Sequence, residues 1–332
     1  MKQEEMKGKP LLSVALCTYN GERFILEQLY SIINQQLPID EIIICDDGST
    51  DSTLLLIDSI SKKCHDIQWR VIKNPQQLGV TQNFEKALSL CSGDIVFLSD
   101  QDDIWAKDKT KTIVSWFDSH QETELVFTDA ILIDKDGRLL CETTLFDNIH
   151  FTSQARKLFR QGLALELFNI KNWVTGATIA FKKSLTNNIL PFIYDSHFLH
   201  DEQIAITCIK RNSINMIEEC LTRYRIHGNN TVGINLDCKK RPLNIYAPLE
   251  VRNAIELIYK NNQVIGKRIS FLKERNKNCK TIYGRVKNLF NILKYIKYYK
   301  CFFFHFYLTD LTWGLDAFLS NKINFIRSKI VQ

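Results

Sequence analysis

Residues 41–50 read Glu41-Ile42-Ile43-Ile44-Cys45-Asp46-Asp47-Gly48-Ser49-Thr50, or EIIICDDGST. The apolar run is too short for a helix and too continuous for a sheet with one wet face. Glu41 to Cys45 is therefore expected as a strand buried on both faces, as the strands of a parallel sheet are. Where the apolar run stops, two carboxylates and a turn glycine follow at once. In open α/β sheets ligands bind beyond the carboxyl ends of the strands, so this junction is a candidate binding loop.

The same alternation continues outward in both directions. Upstream, Leu11 to Cys17 (LLSVALC) is a short apolar run, and Glu22 to Gln36 carries Phe24, Ile25, Leu29, Ile32 and Ile33 at helical spacing. Downstream, Asp51 or Thr50 caps a helix over STLLLIDSISKKC, a strand is expected at Gln68 to Ile72, and a helix at Thr81 to Cys91 closes on Ser92-Gly93. Asp94 to Ser99 (DIVFLS) is a fourth strand, with further strands at Leu125 to Ile133 and Gly176 to Phe181. Repeated strand-helix-strand units predict an open, mostly parallel sheet with right-handed crossovers and helices on its faces.

The chain has 332 residues, 45% apolar and 24% charged, with 13 Gly and 6 Pro, which excludes a short binding module, a disordered chain and a collagen-like repeat. Its 10 Cys form no CxxC pair, and the charged start MKQEEMKGKP is not followed by an apolar signal segment. A reducing, cytoplasmic setting is the expectation, with the thiols as small core hydrophobes. The net charge of +6 conceals two unlike regions: Met1 to Cys238 holds 24 Lys and Arg against 32 Asp and Glu, whereas Lys239 to Gln332 holds 19 against 5. Residues 1–238 are read as the catalytic domain and 239–332 as a helical, basic, aromatic region facing a membrane or the acceptor.

Three strand ends carry polar clusters: Thr18-Tyr19-Asn20-Gly21-Glu22, Asp46-Asp47-Gly48-Ser49, and Asp100-Gln101-Asp102-Asp103. Three carboxylates within four residues repel one another unless a cation neutralises them. Mg²⁺ or Mn²⁺ needs only one or two carboxylates, the rest of its shell coming from water and substrate phosphate oxygens, so a short DxD loop suffices. His197 and His200 have HxxH spacing but no Cys or further His nearby, so a zinc site is not expected there.

These blocks together, TYNGE, CDDGSTD, NPQQLGVTQNFEKAL and FLSDQDDIW, resemble family 2 of the inverting glycosyltransferases, which have the GT-A fold: a Rossmann-like, mostly parallel mixed sheet flanked by helices. TGATIAF, HDEQIAI and YRIHGNNTVG are similar to the corresponding blocks of its rhamnosyltransferase-like branch, so the resemblance covers about the first 235 residues. It implies transfer of a sugar, with inversion at the anomeric carbon, from a nucleoside diphosphate sugar to a hydroxyl. It places Thr18, Tyr19, Asn20, Glu22, Gly79, Asn83, Asp100 and Gln101 around the nucleotide. Asp46 or Asp47 accepts a hydrogen bond from the imide N–H of uracil or thymine. Asp102 and Asp103, with His227, are implied as the Mn²⁺ or Mg²⁺ side. Gly176, His200 and Arg225 are implied near the donor sugar or acceptor.

The attacking hydroxyl must lose a proton, and Asp201 in His200-Asp201-Glu202 is the implied base, with Glu202 as the runner-up. Many related sequences have bulky aromatics after the HD pair; here Glu202-Gln203 follows.

The stretch from Tyr283 to Lys329 mixes cations with aromatics, and its longest run without a charged side chain, Cys301 to Thr309, is too short to span a bilayer. It is expected to lie peripherally on an anionic leaflet or to pack as a basic helical subdomain. No RNA or DNA fold motif accompanies it, so nucleic acid is not an expected partner. The expected activity is thus sugar transfer from a UDP- or dTDP-sugar to a glycan or lipid-linked oligosaccharide in surface polysaccharide synthesis. A sugar nucleotidyltransferase is the chemical rival, though TYNGE lacks the glycine- and base-rich triphosphate loop such an enzyme uses. A non-catalytic nucleotide-sugar-binding scaffold is the other.

Overall fold

Parallel pairing begins at the centre. β1 (Leu12–Thr18) lies between β2 (Glu41–Asp46) and β4 (Ile95–Ser99), and β3 (Gln68–Lys73) adds to the far side of β2, all in parallel. Every residue of β2 and of β4 is buried, as their unbroken apolar runs require, while β3 at the margin is mostly exposed. Helices α1 (Ile25–Ile33), α2 (Thr53–Ser61) and α3 (Val80–Leu90) connect these strands. Ile25, Leu29 and Ile32 of α1 and Ile57 and Ile60 of α2 join Leu12, Val14, Leu16, Ile42 and Ile44 in one apolar cluster. Truncating any of these isoleucines or leucines to alanine is expected to cost roughly 2–5 kcal/mol.

The computed structural model describes residues 8–170, 172–194 and 199–228. The chain divides into two units, and the features below belong to the first, which includes residues 8–165 and 172–228, except for residues 166–170, which fall in the second. After β4 come β5 (Ile104–Trp105), α4 (Lys109–Ser119), β6 (Leu125–Ile133), β7 (Leu139–Thr144), α5 (Leu145–Asn148), α6 (Ser153–Arg160), α7 (Ala164–Ile170), β8 (Ile179–Lys182), α8 (Thr186–Ile189), α9 (His200–Lys210) and β9 (Ile214–Arg225). The strand order is β3-β2-β1-β4-β8-β6-β9-β5, with β7 paired to β6. β8 runs antiparallel to β4 and β6, whereas β9 is parallel to β6 and antiparallel to β5. This is the mixed, helix-flanked GT-A sheet: the parallel order expected from the sequence holds across β3-β2-β1-β4, and antiparallel partners enter beyond β4.

Several boundaries differ from the expectation: α1 ends at Ile33 rather than Gln36 and α2 at Ser61 rather than Cys64, and two starts differ for a visible reason. α1 starts at Ile25 rather than Glu22, because Gly21 to Phe24 form a turn in which both the Phe24 and Ile25 N–H groups donate to the Gly21 carbonyl. The strand expected from Gly176 starts at Ile179, because Gly176–Thr178 form a 3₁₀ turn closed by the Thr178 N–H and hydroxyl on the Thr175 carbonyl.

Sheet register decides where the loops meet. Thr18 stands opposite Asp46, and Leu16 opposite Ser99. The loops after β1, β2 and β4 therefore leave the same rim side by side. The basic region expected at 239–332 lies outside the described residues, as do the boundary at residue 238 and the membrane contact attached to it. Among the described residues no helix is long and apolar enough to cross a membrane.

Candidate active site

The first two loops interlock. Asn20 adopts a left-handed conformation (φ 46°), which asparagine tolerates better than most residues, and its N–H donates to the Ser49 hydroxyl at 2.9 Å. The Asn20 side-chain oxygen accepts the Thr50 N–H, also at 2.9 Å. Glu22 bonds two successive residues of the second loop: its N–H donates to Asp51 at 3.0 Å, and its carboxylate accepts from the Ser52 N–H at 2.9 Å. Asp51 also accepts the Thr53 N–H at the start of α2, but the N-cap position is Ser52 rather than the expected Asp51 or Thr50, and its side chain makes no capping bond. Asn20 and Glu22, expected around the nucleotide, thus hold the two loops together. Tyr19 is 46% exposed at the rim.

Asp46 and Asp47 separate clearly. Asp46 is fully buried and accepts four donors, the Thr18 and Ser49 hydroxyls and the Gly48 and Ser49 N–H groups. Two carboxylate oxygens offer about four lone-pair sites, so Asp46 is committed to its own loop and to Thr18. Asp47 accepts three, from the Asn74 amide, the Leu78 N–H and the Gly79 N–H, at 3.0, 2.7 and 2.9 Å. One acceptor position remains on Asp47. Gly79 has a φ of 80°, a left-handed conformation that a side chain would strain, and it opens α3. Asn83 is buried, bonding the Cys45 carbonyl and Asn74, and so supports the Asp47 loop from within. Asn74 opens the NPQQLGVTQNFEKAL block, where the sequence assigns it no role; its place in this network comes from the fold.

The DQDD loop is anchored on three sides. The Gln101 amide is turned onto the Tyr19 backbone, donating to its carbonyl and accepting its N–H, both at 2.9 Å, instead of reaching outward to a nucleotide. Arg225, expected near the sugar, is 1% exposed and bolts the loop from behind. Its Nε donates to the Asp102 carbonyl at 2.6 Å, its Nη2 to Glu27 at 2.5 Å, and its backbone N–H to Asp103 Oδ1 at 2.9 Å. On the open side, His227 Nε2 lies 2.8 Å from Asp102 Oδ2, with the His227 ring stacked on Phe24 at 4.9 Å between centroids.

Electrostatics bring α9 into the same site. Burial first, and then the neighbouring Asp102 and Asp201, together raise Asp100 to about 7. Asp103 is raised well above the carboxylate range by burial and then by Asp102 and Asp100. Burial raises Asp201 to about 6, opposed by main-chain hydrogen bonding from Glu202 and Gly176. Tyr224 is raised by burial and by all four of these carboxylates. Asp201 therefore shares one field with a loop about a hundred residues earlier. Glu202, the alternative base, is buried. Gly176 lets its turn close on α9: a Cβ there would lie 3.1 Å from His200 Nε2 and 3.8 Å from Asp201 Cβ. His200 is 5% exposed, stacks on Phe84 at 4.2 Å, and is held neutral by burial, which pulls it down to about 3. His197 lies outside the described residues.

Lys109 escaped sequence reasoning altogether. It stands in DKTKT, to which no reading attaches, and it is fully buried.

The side chains fit a divalent cation of the hard, oxygen-preferring kind. Asp103 Oδ2 is buried without a hydrogen-bond partner, and burial, followed by repulsion from neighbouring carboxylates, raises Asp100 and Asp103. Among the described residues no three His, Cys, Asp or Glu already enclose a point. That open set suits a cation that takes Asp102, with Asp103 and His227 beside it, and completes its shell with water and phosphate oxygens.

The model of "Glycosyl transferase family 2" matches residues 13–185. An uncharacterized glycosyltransferase of Haemophilus influenzae is 28% identical over 250 residues, 69% of this chain and 69% of the relative. The dTDP-rhamnosyl transferase RfbG of Shigella flexneri is 31% identical over 231 residues, 68% of this chain and 76% of the relative. Uncharacterized mycobacterial relatives are 25% identical, and this chain spans 59% of their length. Among solved structures, S. aureus TarS 1–349 in complex with UDP-GlcNAc aligns with a TM-score of 0.49 and 19% identity, over 66% of this chain and 60% of that one.

Proposed function

The chain belongs to glycosyl transferase family 2, and on that premise we propose that it transfers a sugar, with inversion, from a UDP- or dTDP-sugar to a hydroxyl of a glycan or lipid-linked oligosaccharide. The observation that carries this reading is the common field of Asp100, Asp102, Asp103 and Asp201, with His227 on Asp102. It combines an acidic cation site with a carboxylate base.

Asp47 is the reader of the pyrimidine imide, because it alone of the Asp46–Asp47 pair retains acceptor capacity. Tyr19, on the exposed rim of the first loop, offers its ring to the nucleotide. Asp102 and Asp103 hold Mn²⁺ or Mg²⁺, and His227 orients the Asp102 carboxylate. When bound, the cation supplies positive charge to the leaving diphosphate, which favours the transition state over the ground state.

Asp201 accepts the proton of the acceptor hydroxyl. As that oxygen bonds the anomeric carbon, the carbon–oxygen bond to the diphosphate breaks, and attack opposite the leaving group inverts the centre. A carboxylate raised to about 6 is better matched to taking a proton near neutral pH than an ordinary one. Gly176 keeps its turn close to this group, and buried His200 packs beside it without charge.

A cytoplasmic enzyme held peripherally on an anionic leaflet, in surface polysaccharide synthesis, is supported by the 19 cations against 5 acids in residues 239–332. The deciding experiment is transfer and donor hydrolysis with a panel of UDP-, dTDP- and GDP-sugars, with Mn²⁺ and with EDTA. Cation-dependent turnover of a pyrimidine donor is expected; no turnover or binding of any sugar nucleotide would overturn the proposal.

A further inference from the structure

Lys86 stands half-buried in the second turn of α3, and its Nζ donates to the Asn74 side-chain oxygen at 2.8 Å. Asn74 is 2% exposed and immediately follows β3. Its Nδ2 donates twice, to Asp47 Oδ1 at 3.0 Å and to Asn83 Oδ1 at 2.8 Å. The Asn83 amide nitrogen donates in turn to the Cys45 carbonyl at 2.8 Å, which leaves the Asn83 oxygen facing Asn74.

This relay has one polarity. An ammonium only donates, a carboxylate only accepts, and a side-chain amide does both from opposite ends. Turning the Asn74 amide over would set its NH₂ against the Lys86 ammonium and its oxygen against the oxygens of Asp47 and Asn83. Lys86 therefore keeps the donor end of Asn74 on Asp47. The consequence falls on the carboxylate itself. Oδ1 takes Asn74 and the Leu78 N–H, at 3.0 and 2.7 Å, whereas among the described residues Oδ2 takes one donor, the Gly79 N–H at 2.9 Å. The open acceptor position of Asp47 thus lies on Oδ2, and the bonds to Oδ1 set where it points.

We propose that Lys86 and Asn74 are positioning residues for nucleobase recognition: the ammonium fixes the Asn74 amide, which fixes Asp47 so that Oδ2 meets the imide N–H of uracil or thymine. The proposal rests on the reading of Asp47 as the pyrimidine contact and deepens it, assigning selectivity to a cation that does not touch the nucleotide. Cytosine has a ring-nitrogen acceptor where uracil has the imide N–H, so an acceptor held in place is repelled by it. A carboxylate free to turn loses the bond to uracil and the repulsion of cytosine together.

The test is calorimetric titration of the full chain with UDP and with CDP at one Mn²⁺ concentration. The two ligands share ribose and diphosphate, so the ratio of their Kd values isolates the nucleobase. Lys86→Met keeps the aliphatic stem without the donor. It is expected to weaken UDP about fivefold, the scale of one hydrogen bond, and to leave CDP within about twofold. Lys86→Arg, which returns a cationic N–H, is expected to regain most of the preference. Lys86→Met/Asn74→Ser should lose little more preference than Asn74→Ser alone, because the lysine acts through the asparagine.

An unchanged UDP preference in folded Lys86→Met, or equal weakening of both ligands, would make Lys86 a brace of the fold only and overturn the proposal. Should Lys86→Met not fold, Asn74→Ser alone carries the comparison with the same two outcomes. If neither folds, the pair holds the fold rather than the nucleobase, which overturns it as well. A wild type that binds UDP and CDP alike removes the imide reading of Asp47 and the proposal with it, whereas a wild-type preference that survives in both variants removes the proposal alone.

Discussion

The Gln101 side-chain amide pairs with the Tyr19 peptide, donating to its carbonyl and accepting from its N–H, both at 2.9 Å. One amide therefore fastens the acidic loop after β4 to the loop after β1. The pairing has room only because residue 21 is glycine: a Cβ there would sit 2.2 Å from Gln101 Oε1. Gly21→Ala and Gln101→Ala break the same staple. Each is expected to destabilise by about 1–2 kcal/mol, and the double variant should lose little more than either single one. Urea unfolding of all three checks this; additive losses would show that the residues act separately.

Asp201→Asn is expected to leave donor binding intact and to lower kcat by about 10²- to 10⁴-fold. In wild type the base must be deprotonated, so kcat/KM should rise with pH through about 6, the value to which burial raises Asp201. A variant that keeps the rising limb and its rate would move the role to Glu202.

For Asp102→Ala the expectation is loss of transfer together with loss of the Mn²⁺-induced rise in unfolding temperature, because the carboxylate and its His227 contact disappear at once. Turnover above about a tenth of wild type in a folded variant, a loss of less than roughly 1.4 kcal/mol of transition-state stabilisation, would remove Asp102 from the cation site.

Nucleotide affinity should discriminate the adjacent acids. Asp47→Asn is expected to weaken binding of UDP by about tenfold, the scale of one hydrogen bond to a charged group, with modest change in stability. Asp46→Asn should chiefly destabilise, since its four donors lie within the protein. Calorimetry with UDP and thermal unfolding of both variants separate the two outcomes.

Metal-free stability should fall as pH rises between about 4 and 7. Asp100 and Asp201 have folded-state pKa values raised to about 7 and about 6, and Asp103 is raised as well, so these three groups bind more protons in the folded chain across that interval and outweigh His200, whose lowering to about 3 acts in the opposite direction. Asp51, Glu124 and Asp134, which are lowered, lose their contribution only at pH below the ordinary carboxylate range. Unfolding midpoints in EDTA from pH 4 to 8 test the sign, and Mn²⁺ should flatten the decline.

Much of the scaffold was legible because its signals are local. The apolar runs of β1, β2 and β4 announced buried strands, and β6 ends at the residues its hydrophobic pattern suggested. The strand-end clusters were legible for the same reason. Individual roles were less so: Asn20, Glu22, Gln101 and Arg225 look alike as ligands or as braces until their partners are known. Lys109 offered no contrast with its neighbours, since burial is a property of the surrounding fold rather than of a lysine.

Sequence alone determined the alternation of strand and helix and the placing of carboxylates at strand ends, because both depend on residues a few positions apart. Tertiary structure decided that Asp201 enters the field of Asp100, that Asp47 and not Asp46 keeps an acceptor free, and that Lys109 is buried. Those outcomes depend on strand order and on which segments β8 and β9 bring beside β4 and β5, relations that no short window of residues contains.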